Sequence, residues 1–293
     1  MNAHNHVGIH LPFRHGLRYL VDQAIDLQLP YFQFFLTHEN RYVHITNDDL
    51  RYFLSFRNQF SSLFIHSSYW INPATGIQEN LAISKRLILK EINYAQRLEV
   101  PFIVLHAGNA KGYLGTTAKI ARQQGIDTIA RFFNALLKTN PPVTFLFENT
   151  AHEGNAVGSN LEDFGLLKTK IDYPEKIGFC LDTAHAFSYG YELTQPSAFI
   201  EYINKTIGLD SLKLMHLNDS SISIGRKHDQ HALPGQGKIG LHILRALATH
   251  PLLAHLSKII EYPALIRSKS DTIAQLTDWN NYIIQIASKN AQF

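Results

Sequence analysis

Cysteine is almost missing from this chain: Cys180 alone stands among 293 residues. That excludes an internal disulfide framework and suits a reducing compartment. No apolar run approaches the roughly 20 residues that a membrane span requires. The opening stretch, MNAHNHVGIHLPF, lacks a basic segment followed by a long apolar one, so nothing in it reads as a secretory signal. A cytoplasmic protein with no membrane partner is therefore expected. Repeats, low-complexity tracts and Pro/Gly/Ser-rich linkers are also absent, so one continuous domain over 1–293, acting as a monomer, is the simplest expectation. Charge excess is slight, at +3 with a pI near 8.8. Such a balance is compatible with a phosphate-bearing partner without requiring one. What the chain has in quantity is histidine, 16 residues, and their positions matter more than their number.

With 45% hydrophobic residues the chain can build one sizeable core. Short apolar runs recur with helix-like segments between them, the alternation of a parallel sheet built from βα units. The expected strands are Val7–His10, Tyr31–Leu36, Leu63–His66, Phe102–His106, Thr144–Glu148, Ile177–Leu181, Leu212–Leu217 and Lys258–Glu261. Between them, Ile83–Leu98, Ile126–Lys138 and Ile239–Ala248 carry apolar residues at three- and four-residue spacing. Eight strands with a crossover after each predict a closed α/β fold, a (β/α)8 TIM barrel.

From the third strand onward each run ends at or beside a residue able to bind metal. They read LFIH (His66), IVLH (His106), FLFE (Glu148), FCLD (Asp182), KLMH (His216) and KIIE (Glu261). Strand C-termini of a parallel barrel open onto one face, so these side chains are expected to converge there. Three more candidates follow on expected loops: His185 in LDTAHAF, and Asp229 and His231 in KHDQH. Taken singly, each has a blander reading. A strand-end histidine is more often a hydrogen-bonded core residue, and Asp182 is as well placed to cap a helix. Six coincidences in consecutive strands are hard to obtain from packing alone. Mixed imidazole and carboxylate donors without thiolate suit zinc or manganese, with imidazole favouring zinc. Nine ligands exceed the needs of one ion, so two or three ions sharing a carboxylate are expected.

The stretches FENTAHEGN, DTAHAFSYGY, MHLND, DQH and LPGQGKIG, preceded by IHSSYWIN and LHAGN, together resemble the signature segments of the endonuclease IV family. The resemblance runs from about Val7 to the last helix. It implies three Zn2+ ions, one or more replaceable by Mn2+. One would lie on His66, His106 and Glu148, a second on Glu148, Asp182, His216 and Glu261, and a third on His185, Asp229 and His231. The activity implied is hydrolysis of the phosphodiester 5′ to abasic sites in duplex DNA, leaving a 3′-hydroxyl and a 5′-deoxyribose phosphate, with removal of 3′-blocking groups. Glu148, the shared carboxylate, is the first choice as catalytic residue. Tyr69 and Trp70 occupy the loop that the family uses as a wedge into DNA; the family's aromatic–aliphatic pair is here aromatic–aromatic. Asn40, Arg41 and Tyr42 fall where the family carries a second inserting segment, with Arg41 as its arginine.

Other residues complete the reading. Lys111, Arg226, Lys227 and Lys238 sit on strand-end loops and are candidate phosphate contacts. Asn149 and Asp219 suit hydrogen-bonding or capping roles beside the ligands. His4 and His6 precede the first strand and so lie at its wrong end, His10 is expected near the pocket without being a ligand, and Cys180 is expected in the core. Two rival functions are weighed. A sugar isomerase or epimerase on the same barrel would need only Glu148, Asp182, His216 and Glu261. A non-catalytic DNA-damage-binding protein would not require ligands intact at every position.

Overall fold

The computed structural model describes residues 6–13, 15–38, 41–261 and 269–290. Eight parallel strands close into a barrel: β1 (Gly8–Leu11), β2 (Tyr31–Phe35), β3 (Ser62–His66), β4 (Phe102–His106), β5 (Thr144–Glu148), β6 (Ile177–Asp182), β7 (Leu212–His216) and β8 (Ser257–Ile260). Each pairs with its neighbours in sequence, and β8 returns to β1. Helices line the outside: α1 (Gly16–Asp26), α2 (Asn47–Phe56), α3 (Gln78–Arg97), α4 (Ala118–Leu137), α5 (Glu162–Thr169), α6 (Thr183–Tyr189), α7 (Pro196–Thr206), α8 (Leu241–Ala248) and α9 (Lys269–Asn290). Among the described residues no helix is long and apolar enough to cross a membrane.

The strand runs are apolar on both faces because both faces are covered. Outward residues such as Phe145, Phe147 and Phe179 pack against the helices, where Phe133 and Phe164 meet them edge-on or stacked. A separate cluster of Tyr31, Phe64, Val104, Leu146, Cys180, Leu214 and Ile259 fills the barrel itself. Gly8 belongs to this layer by necessity: a Cβ there would lie 2.4 Å from the Tyr31 carbonyl oxygen and 2.6 Å from its ring.

Side chains two residues apart on a strand share a face. Two positions beyond that interior layer come His10, Gln33, His66, His106, Glu148, Asp182, His216 and Glu261, one from each strand or its end. The fold therefore turns a row of strand-end polar residues into one ring.

Element ends differ from the sequence reading. β1 runs one residue later than expected, and Glu261 lies just beyond β8. Helices α3 and α4 begin five and eight residues earlier than Ile83 and Ile126. The first turn of α3 is largely polar and that of α4, though it holds Ala118 and Ile120, is largely exposed, so no buried apolar stripe marks either; Thr117 caps α4 by accepting the Ile120 N–H. His6 precedes β1 and lends its carbonyl to the Tyr31 hydroxyl, at the end of the barrel opposite the ring. His4 lies outside the described residues.

Candidate metal centre

Glu148 stands at the middle of the ring, fully buried at the end of β5. Its Oε2 lies 3.0 Å from His66 Nε2 and 3.1 Å from His106 Nε2. Its Oε1 lies 2.8 Å from His216 Nδ1. Its two oxygens thus face different sets of imidazoles, the disposition of a bridging carboxylate. His216 Nδ1 is also 3.5 Å from Glu261 Oε2 and 3.8 Å from Asp182 Oδ2. In each of these two groups the donor atoms all lie within 4.8 Å of one another.

The third set forms a triangle. Asp229 Oδ1 is 3.1 Å from His185 Nε2 and 3.3 Å from His231 Nε2, and the two nitrogens are 3.4 Å apart. Donors at the usual zinc distances of about 2.0–2.1 Å in a tetrahedron stand about 3.3–3.4 Å apart. The residues present therefore fit a small divalent ion. Asp182 Oδ2, 3.6 Å from His231 Nε2, links this triangle to the second group.

The local structure corrects one expectation. His185 is not on a loop: it sits in α6, whose N-cap is Asp182. Asp182 Oδ1 accepts the His185 N–H at 2.7 Å, while Oδ2 accepts from Asn218 Nδ2 at 2.6 Å and faces His216. Capping and clustering, alternatives in the sequence, are here performed by different oxygens of one carboxylate. His231 opens a two-residue strand, His231–Ala232, antiparallel to Asp219–Ser220, and this ribbon folds Asp229 back over the centre.

Charge balance within the cluster is tight. Burial alone would raise the Glu148 carboxyl, but the imidazoles of His216 and His106 outweigh it and hold the group well below its usual range. Burial likewise opposes ionisation of Asp229, yet His185 and then His231 bring it down to about 2. For His185 burial disfavours the proton, but Asp182, Asp229 and Glu148 hold it well above the ordinary imidazole value. Cys180 lies among the donors of Glu148 and His216, but burial pushes its thiol up to about 12. A thiol that stays protonated is a core residue, as expected from the sequence.

Gln33 was missed by sequence reading, since YFQFF looks like any apolar strand. It is fully buried. Its amide donates to Glu261 Oε1 at 2.7 Å and to His10 Nδ1 at 2.9 Å, and its Oε1 accepts from His216 Nε2 at 2.9 Å. Because the Glu261 carboxylate can only accept, the amide cannot flip, so His216 Nε2 must carry a hydrogen and Nδ1 is turned to the carboxylates. His10, whose Nδ1 is used as an acceptor and whose proton affinity burial lowers, buttresses Gln33. The parity of β2 was the available signal: Gln33 lies two residues after the interior Tyr31. Asn218, also unremarked, donates to Asp182 and Glu261 and accepts the Glu261 N–H. Asn149 brackets Asp182 with hydrogen bonds of 2.7 and 3.0 Å and offers its carbonyl to His185 Nδ1 at 2.8 Å. Asp219 collects the N–H groups of Ser220, Gly235, Gly237, Ile239 and Gly240, shaping the LPGQGKIG loop.

Tyr69 and Trp70 follow His66 and stand out from the surface, 73% and 64% exposed. The Tyr69 ring lies 5.8 Å from those of both His66 and His106, at the edge of the centre. Asn40 falls outside the described residues; of Arg41 the structure describes the backbone, which starts a two-residue strand, Arg41–Tyr42. Lys111, Arg226 and Lys238 are exposed. Lys227, in a left-handed backbone conformation, is paired with Glu153 and lies over the Tyr189 ring, so it is already engaged.

Comparison with known proteins joins these observations. The chain matches the family model of xylose isomerase-like TIM barrels over residues 21–279. A probable endonuclease 4 of Heliobacterium modesticaldum is 31% identical over 274 residues, covering 92% of this chain and 97% of that one. Endonuclease IV from Thermus thermophilus superposes with a TM-score of 0.78 at 25% identity, over 96% of this chain and 99% of that one. A D-tagatose 3-epimerase-like protein, with a TM-score of 0.72 but 14% identity over 98% and 99% of the two chains, shares the fold alone. Over nearly its whole length, this chain belongs to the endonuclease IV family of xylose isomerase-like TIM barrels.

Proposed function

We propose that the chain is a metal-dependent DNA-repair endonuclease that hydrolyses the phosphodiester 5′ to abasic sites in duplex DNA, leaving a 3′-hydroxyl and a 5′-deoxyribose phosphate. The observation that carries this reading is Glu148 set between two imidazole groups, with the triangle of His185, Asp229 and His231 beside it. A sugar isomerase or epimerase would have no use for that triangle. His66, His106 and Glu148 would hold one zinc ion, Glu148, Asp182, His216 and Glu261 a second, and His185, Asp229 and His231 a third, with manganese able to replace zinc. When bound, such ions supply Lewis acidity for attack of water on phosphorus and neutralise the charge of the phosphate.

The protein's own groups do the arranging. Glu148 sets the separation of the first two sites through its two oxygens, and Asp182 ties the second to the third. Gln33 and Asn218 hold His216, Glu261 and Asp182 in register. Four carboxylates cannot neutralise three divalent ions, so the loaded face stays positive for a phosphodiester. Incubation with a duplex carrying one tetrahydrofuran abasic analogue tests the activity: a single cut 5′ to the analogue is expected. An uncut strand, with the metals in place, would overturn the reading.

Lesion recognition falls to the exposed aromatic pair. A missing base leaves a gap in the stack that a ring can fill, worth about 1–3 kcal/mol per stacking contact. Tyr69→Ala/Trp70→Ala is expected to raise KM and blunt discrimination between abasic and intact duplex, with metal content unchanged. Removal of an exposed 3′-phosphate should suffer less, since no gap needs filling there. Equal losses on both substrates would assign the pair to the fold or the metal centre instead.

A further inference from the structure

A buried carboxylate outside the metal centre has no evident reason to be there. Glu91, on the inner face of α3, is 1% exposed. Burying a carboxyl is costly unless its hydrogen bonds return something. Its Oε1 takes two of them. One comes from the Ser68 N–H at 2.9 Å, in the loop after β3, and the other from the Tyr42 hydroxyl at 2.9 Å, in the loop after β2. The same face of α3 holds the second loop again. The Tyr94 hydroxyl donates to the Val43 carbonyl at 3.0 Å, the Tyr94 and Tyr42 rings stack, and Lys90 Nζ lies 4.2 Å from the centre of the Tyr42 ring. Ser68 in turn organises the turn that carries Tyr69 and Trp70, its carbonyl accepting the Ile71 N–H at 3.0 Å.

Each residue that Glu91 grips is the immediate neighbour of a candidate DNA contact: Tyr42 of Arg41, and Ser68 of Tyr69. We propose that Glu91 is a positioning residue that ties the loops after β2 and β3 into one unit, so that both are ordered for the duplex together. The proposal rests on the reading that these loops meet DNA. Its physical gain is entropic: segments fixed beforehand need not be ordered at the moment of binding. Oε1 alone serves both loops, so the charge itself is dispensable and the acceptor is not.

Amide hydrogen exchange, duplex affinity and metal analysis on the full chain test this. Glu91→Leu is expected to speed exchange over both 42–44 and 68–71 and to weaken abasic-duplex binding on the order of tenfold, with metal content at the wild-type level. Glu91→Gln, which keeps the acceptor, should restore slow exchange and affinity. Tyr42→Phe removes one limb without emptying the core, so it should speed exchange over 42–44 only and weaken binding by a smaller factor; it also serves if Glu91→Leu does not fold. Faster exchange in only one loop of Glu91→Leu, or no change over 42–44 in Tyr42→Phe, overturns the proposal. So does loosening of both loops with undiminished duplex affinity, provided that Tyr69→Ala/Trp70→Ala binds more weakly than wild type. If that double variant binds like wild type, the DNA-contact reading fails by itself, and the positioning role built on it is overturned with it.

Discussion

Glu148→Gln is expected to lower incision at abasic sites by at least about a hundredfold, roughly 3 kcal/mol of transition-state stabilisation, while abasic duplex is still bound. The substitution keeps the volume of a side chain with no room to move. It replaces one carboxylate oxygen by an NH2 group, and both oxygens are in use: Oε2 faces His66 and His106, and Oε1 faces His216. Whichever way the amide is turned, one group then confronts a donor where it had an acceptor, and the charge common to the two sites is gone. The DNA-contact candidates Tyr69 and Trp70 are exposed and do not depend on that charge. The check is kcat/KM on the tetrahydrofuran duplex beside a binding isotherm on the same DNA. Near-wild-type incision would refute the role given to Glu148.

Metal removal should have a still larger effect. Gently purified protein is expected to carry close to three ions per chain, and a chelator is expected to abolish incision. One ion or fewer by elemental analysis would overturn the trinuclear reading. The sign of the pH dependence follows from the charges around the donors. Metal needs deprotonated imidazole. Against the opposing effect of burial, Asp182, Asp229 and Glu148 raise His185, and the carboxylates of Glu261 and Glu148 raise His216, both well above the usual value. Protons therefore compete for these nitrogens already above the ordinary histidine pKa of about 6.5. Glu148 and Glu261, held well below their usual range, and Asp229, near 2, stay ionised throughout that window. Affinity should thus fall as pH falls, starting above about 6.5 and set by imidazole protonation. A metal content independent of pH down to the carboxylate range would contradict this.

Much of the centre was legible before folding because strands impose a period of two and a barrel aligns their ends. Phe64 and His66, Val104 and His106, Leu146 and Glu148, Leu214 and His216 are the same pair four times: an interior apolar residue, then a polar residue on the same face one step nearer the opening. That regularity is local, so it survives in the linear text, and it was enough to specify the eight strands, the barrel and the six strand-end candidates. Contacts between distant segments were needed for the rest. Gln33 reads as one more residue of an apolar strand until β2 is set beside His216 and Glu261, about 180 and 230 positions away. His185 could be assigned to α6 only once Asp182 was seen to cap it, because a seven-residue helix carries too little periodicity to announce itself. The triangle with Asp229 and His231 closes only through the ribbon that pairs Asp219–Ser220 with His231–Ala232. Sequence by itself determined which side chains share a face, since strand geometry follows from chain stereochemistry; only the tertiary structure decided which of them touch, since loop closure and side-chain orientation depend on packing between residues far apart in the chain.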